Sequence, residues 1–259
     1  MPKPEPTKEK IEYTIYSSPA ERLELIYMGL ELAEFARSCE VKNAIFLDTS
    51  ARLGWIGLNK MWPVVTKDNE EKPELPQSYF INPYFYIQED DLETSWMQQH
   101  LMDGAQAILG NDIDLVEHYL HQRDSRAIEV QFAEEMRHLV SRKKERTMIV
   151  DTCSHSGMSL QGTTDFLEKM GFEDLLTVTA EVADYSDEYE ADFNLLPRFA
   201  LTSCYPWGDA SLSGMERNTD SSNLRRSADP EVSARALQAR KEIQSIFTTY
   251  ADEVLRDRA

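Results

Sequence analysis

The chain has 259 residues, with 27 Lys and Arg against 46 Asp and Glu, for a formal net charge of −19. That length is enough to bury one substantial core, and that charge repels a phosphate backbone over most of the surface, which argues against nucleic acid as a partner. A small anion stays open to it, because a helix N-terminus and a few local cations make a positive pocket even on an acidic protein.

Residues 1–10, MPKPEPTKEK, are rich in Pro, Lys and Glu and have no apolar run. They predict a disordered tail, without a signal peptide, ahead of a single domain over 11–259. No segment approaches the roughly 20 apolar residues that span a bilayer, so a cytoplasmic protein with no membrane partner is expected. Ser18-Pro19-Ala20-Glu21 combines a capping hydroxyl, a Pro at the first helical position and a Glu placed to reach back. The helix it opens carries Leu23, Ile26, Tyr27, Leu30 and Ala33 on one face, predicted to pack on a sheet.

Ala44-Ile45-Phe46-Leu47 is too short for a helix and runs into Asp48-Thr49-Ser50, as a buried strand entering a polar loop would. Leu53 to Trp62 is ambiguous, although Trp55, Leu58, Met61 and Trp62 share a helical face. Residues 66–78 read as an exposed connection. Ser78 to Asn82 is a second strand, limited by Pro83. From about 92 to 142 the pattern is helical, a predicted insertion of two or three helices. Its His100, His118, His121 and His138 lack any carboxylate-supported ligand pair, so they are read as helix-edge side chains. Cys39, Cys153 and Cys204 are far apart with no CxxC spacing, so neither a disulfide framework nor a zinc site is expected.

Thr147 to Val150 is the next strand, and a helix from Leu160 to Met170 ends at Gly171, a common left-handed stop. Leu175 to Val182 is the strand after it. Strand, helix and strand in that order predict an α/β fold with a parallel sheet. Ala200 to Ser203 is a further strand candidate, and residues 208–230 read as an irregular loop. Glu231 to Arg256 predicts a charged amphipathic C-terminal helix, with Ala236, Ile243, Ile246 and Phe247 inward. It can pack on its own core or on a second copy, which leaves a homodimer open.

The stretch from Met148 to Leu160 carries the strongest chemical signal. A loop of small residues entering a helix turns backbone N–H groups and hydroxyls toward one anion, and the helix dipole favours the negative charge. Ser154, Ser156 and Ser159 supply donors, and Gly157 permits close backbone approach.

This segment resembles the phosphoribosyl pyrophosphate signature of type I phosphoribosyltransferases: an apolar strand, one or two acids, then a short loop ending in Thr/Ser-Gly-x-Thr/Ser. Ser156-Gly157-Met158-Ser159 matches the ending and Asp151 the first acid. The resemblance implies a phosphoribosyltransferase-like, Rossmann-like core with a helical insertion and a C-terminal helix. It implies that Asp151 contacts the ribose hydroxyls and that Ser154, His155, Ser156, Gly157, Met158 and Ser159 hold the 5′-phosphate. Thr152 stands where many members carry a second acid. Asp48 to Gly54 follows an earlier strand, where these enzymes have a loop that grips pyrophosphate. There Arg52 would pair with a diphosphate, and Thr49 and Ser50 would add hydroxyls. Trp207, in Cys204-Tyr205-Pro206-Trp207-Gly208, matches the place of a hood that stacks on the base. Arg142, Lys143, Lys144 and Arg146, ahead of the signature strand, read as a solvated helix end.

The activity so implied is a glycosyltransferase reaction. A nitrogenous base takes phosphoribose from phosphoribosyl pyrophosphate, with Mg²⁺ on the diphosphate and few protein ligands to the metal. Asp151 and Arg52 would be the catalytic pair, stabilising the charges that develop on sugar and leaving group. Three other readings stand beside it: a regulator that binds phosphoribosyl pyrophosphate or a nucleotide without turnover, a phosphatase-like hydrolase and a helical interaction protein. Paired Leu47-Asp48-Thr49 and Val150-Asp151-Thr152 suggest the hydrolase, a haloacid-dehalogenase-type phosphatase. Ser50 and Cys153 replace the second Asp that chemistry uses.

Overall fold

Ser18 begins the first helix as its neighbours predict. Its hydroxyl accepts from the Ala20 amide at 3.2 Å, Glu21 accepts from the Ser18 amide at 3.2 Å, and α1 spans Pro19–Ser38. The computed structural model describes residues 11–47, 51–69, 72–82, 125–151, 158–179, 191–195, 212, 215–216 and 225–256. After α1 come β1 (Asn43–Leu47), α2 (Arg52–Val65), β2 (Gln77–Ile81), α3 (Ser125–Glu135), α4 (Arg137–Val140), β3 (Thr147–Asp151) and α5 (Met158–Lys169). Then follow β4 (Leu175–Thr179), β5 (Phe193–Asn194), β6 (Met215–Glu216), β7 (Arg225–Arg226) and α6 (Pro230–Arg256).

Strands β1 to β5 form one sheet in the order β2-β1-β3-β4-β5, parallel throughout. The central strands β1 and β3 are buried at every position, as parallel strands covered on both faces must be. Successive side chains point to opposite faces, which sorts the core into two layers. Ala44, Phe46, Met148, Val150 and Val178 pack under α1, α2 and α6. Ile45, Leu47, Ile81 and Ile149 pack under α3, α4 and α5, with Phe132 edge-on to Phe166 at 5.0 Å. The result is a three-layer α/β/α arrangement, in keeping with the predicted α/β class.

The ambiguous stretch after residue 52 is a helix, because Leu53, Ile56, Leu58, Met61 and Trp62 bury one continuous stripe. Several expectations are corrected. Leu23, assigned to the inner face of α1, is 45% exposed, since the buried stripe runs through Leu25, Met28 and Leu32. Residues 208–230 are not wholly irregular: β6 and β7 pair antiparallel within them. Strand β5 has no counterpart among the expected elements. The predicted helices between 92 and 124, the strand end at 180–182 and the strand candidate at 200–203 lie outside the described residues. No helix among the described residues is long and apolar enough to cross a membrane.

Candidate functional site

From β1 the chain crosses to β2 through α2, on one face of the sheet; from β3 it crosses to β4 through α5, on the other. Strand order therefore reverses between β1 and β3. At such a switch point the two connections diverge and leave a crevice outside the carboxyl ends of the strands, the place where open α/β sheets bind ligands. The strand ends that precede the two stretches singled out from sequence, Leu47 of β1 and Asp151 of β3, lie at this point.

Asp151 is the last residue of β3 and is only 6% exposed. It is registered beside Thr179, which is registered beside Asn194. Aligned residues of parallel strands share a face, so these three form a polar row on the α5 side of the carboxyl edge. The Asn194 Oδ1 in this row is buried without a hydrogen-bond partner. At the opposite end of the sheet, polar groups tie elements together. Arg146 pairs with Asp174 at 2.9 Å and donates to the Cys39 carbonyl at 2.7 Å.

Arg52 is the first residue of α2, whose N-cap, Ala51, offers no side-chain acceptor to the first-turn amides. Its guanidinium lies 4.3 Å over the Phe80 ring, close enough for cation–π attraction. Its Nε is buried with no hydrogen-bond partner. Burial, then the charge of Arg240, then that of Arg226, pull its pKa below the usual guanidinium value. Phe80 belongs with the α1, α2 and α6 layer. Arg52 and Asp151 therefore lie on opposite faces of the sheet, near its carboxyl edge.

Of the other residues singled out from sequence, Met158 opens α5 and Ser159 follows it, half-buried. Thr49, Ser50, Ser154, His155, Ser156, Gly157 and Trp207 lie outside the described residues. Sequence reasoning misses Arg226 and Arg240. Arg226 falls in a stretch that reads as loop, and Arg240 is indistinguishable by pattern from any other charge on the polar side of a long helix. Among the described residues no group of three His, Cys, Asp or Glu side chains is set to hold a metal ion. The Asp151 carboxylate alone does not make a protein-enclosed cation site. No protein-family model matches the chain, and no curated protein sequence matches it closely enough to carry an assignment.

Proposed function

We propose that this protein binds phosphoribosyl pyrophosphate across the β1/β3 crevice and transfers its phosphoribose to a nitrogenous base, releasing pyrophosphate. The observation that carries the reading is the meeting of two strand–loop–helix units at one switch point. One ends its strand in a buried carboxylate and the other begins its helix with a guanidinium whose Nε is buried without a hydrogen-bond partner among the described residues. A sugar phosphate bearing a diphosphate requires both signs of group: an acceptor for ribose hydroxyls and donors for the diphosphate oxygens.

In the proposed reaction the bond from C1 to pyrophosphate breaks as the base nitrogen bonds to C1. The Asp151 carboxylate stabilises positive charge on the sugar, and Arg52 stabilises the departing pyrophosphate. The first-turn amides of α5, which Met158 opens, suit the 5′-phosphate. Mg²⁺, when bound to the diphosphate, neutralises part of its charge and takes most of its remaining ligands from water. One sequence feature favours binding without turnover: Thr152 occupies the place of the second acid common in the family that the loop resembles.

Pyrophosphate release from phosphoribosyl pyrophosphate, assayed with adenine, guanine, uracil and orotate in turn, separates the two readings. Transfer predicts release with one base, reduced at least about 100-fold by Asp151→Asn. Binding without release from any base supports the regulator.

A further inference from the structure

Residues 12–16, a strap in no helix or strand ahead of α1, are tied down by side chains of α6. The amides of Thr14, Ile15 and Tyr16 donate to Glu242 at 2.7, 3.0 and 2.9 Å. Glu242 also accepts from the Thr14 hydroxyl at 2.9 Å and from Gln238 at 2.8 Å. Further along α6 in the two directions, Gln238 donates to the Glu12 carbonyl at 3.4 Å, and the Ser245 and Tyr13 hydroxyls meet at 3.2 Å. Glu242 is fully buried, so donors must replace its lost hydration. A carboxylate has about four lone-pair directions, and these donors fill them, which leaves no place for a second negative group. Thr14 is the exposed part of this arrangement. Among the strap's other hydroxyls, Tyr13 faces Ser245 and Tyr16 is buried, while Ser18 just beyond caps α1. Arg22 is a cation on the strap, but it is engaged by the Tyr16 and Ser17 carbonyls at 2.8 and 2.7 Å. The far end of α1 adjoins Arg146 through the Cys39 carbonyl at the amino edge of the sheet. The strap therefore lies toward the carboxyl edge.

We propose that residues 12–16 and Glu242 form a latch that phosphorylation of Thr14 opens. A protein kinase would transfer the γ-phosphoryl of a nucleoside triphosphate to Thr14 Oγ1. The bond from that phosphorus to the diphosphate breaks, the bond to Oγ1 forms, and the hydroxyl proton passes to a base of the kinase. The change removes one donor from Glu242 and sets a dianion against a buried carboxylate, which like-charge repulsion and desolvation both oppose. The latch stands whether or not the crevice binds a sugar phosphate.

The test is hydrogen exchange of the Thr14, Ile15 and Tyr16 amides in the full chain, with phosphothreonine incorporated at position 14. Thr14→Val removes the hydroxyl without adding charge. Phosphoserine at position 17 adds the same charge three residues on, beside Arg22. Loss of one hydrogen bond to a charged acceptor is expected to speed exchange about 10-fold in Thr14→Val. Phosphothreonine at position 14 is expected to speed it at least about 100-fold, because repulsion adds to that loss. Phosphoserine at position 17 is expected to leave these amides protected. The amides of Ile45 and Ile149, in the central strands β1 and β3, should stay slow in every form. Exchange no faster with phosphothreonine than with valine overturns the proposal, and so does slower exchange, the mark of Arg22 turning to hold the phosphate. An equal response to phosphate at position 17 also overturns it. Equal acceleration at Ile45 and Ile149 would show loss of the whole fold and rule out a local latch.

Discussion

Two buried carboxylates have different settings in this protein. Glu242, fully buried on α6, accepts from the Thr14 amide at 2.7 Å, the Thr14 hydroxyl at 2.9 Å and Gln238 at 2.8 Å through Oε1. Through Oε2 it accepts from the Ile15 and Tyr16 amides at 3.0 and 2.9 Å. It fastens the segment before α1 to the C-terminal helix. Burial works to raise its pKa, but the Tyr16, Gln238 and Thr14 donors outweigh burial and hold it below the ordinary Glu value. A carboxylate depressed on folding contributes stability that is present above its unfolded pKa of about 4.3 and lost as pH falls through its folded pKa. Glu242→Gln should therefore lower stability at pH 7 by on the order of 2 kcal/mol. In thermal melts from pH 7 to 3, its Tm deficit should shrink as the solution is acidified; a constant deficit would contradict this role. Asp151 is the other carboxylate, at the edge where a ligand would meet it. Its place was legible from sequence because an acid ending an apolar run marks a strand end. Glu242 was not, because the segment it fastens, residues 14–16, lies more than 200 positions away in the chain.

At the scale of elements, α1, α2 and α6 interlock around a glycine. A Cβ on Gly29 would sit 2.6 Å from Cε1 of Phe247 on α6 and 3.3 Å from the Gly57 Cα on α2, so a side chain there has to displace the Phe247 ring and crowd α2. Gly29→Ala gains helix propensity of roughly 1 kcal/mol but must displace a fully buried ring. The expected net result is a loss of about 1–3 kcal/mol, read by chemical denaturation; unchanged or increased stability would show that Phe247 yields freely. Helices of this length were legible because their apolar stripes repeat over many residues. The two-residue strands β5, β6 and β7 were not, because a pair of residues carries no period. Missing β7 also meant missing Arg226.

For the molecule as a whole, the succession of strand, helix and strand around residues 147–179 was sufficient to foresee a parallel sheet. Strand order was not legible, because it depends on which buried faces pair across distant parts of the chain. That order sets the ends of β1 and β3 side by side: the two strands are neighbours although separated by 99 residues between Leu47 and Thr147. An anion site on a chain of net charge −19 must work against the overall field, so its affinity has to come from groups at short range. The most direct test is isothermal titration of the native chain and Asp151→Asn with phosphoribosyl pyrophosphate and Mg²⁺. Saturable binding to the native chain, weakened about 10-fold or more in the variant, is the predicted result. No binding by the native chain, or equal affinity in both, would contradict a phosphoribosyl site at the β1/β3 crevice.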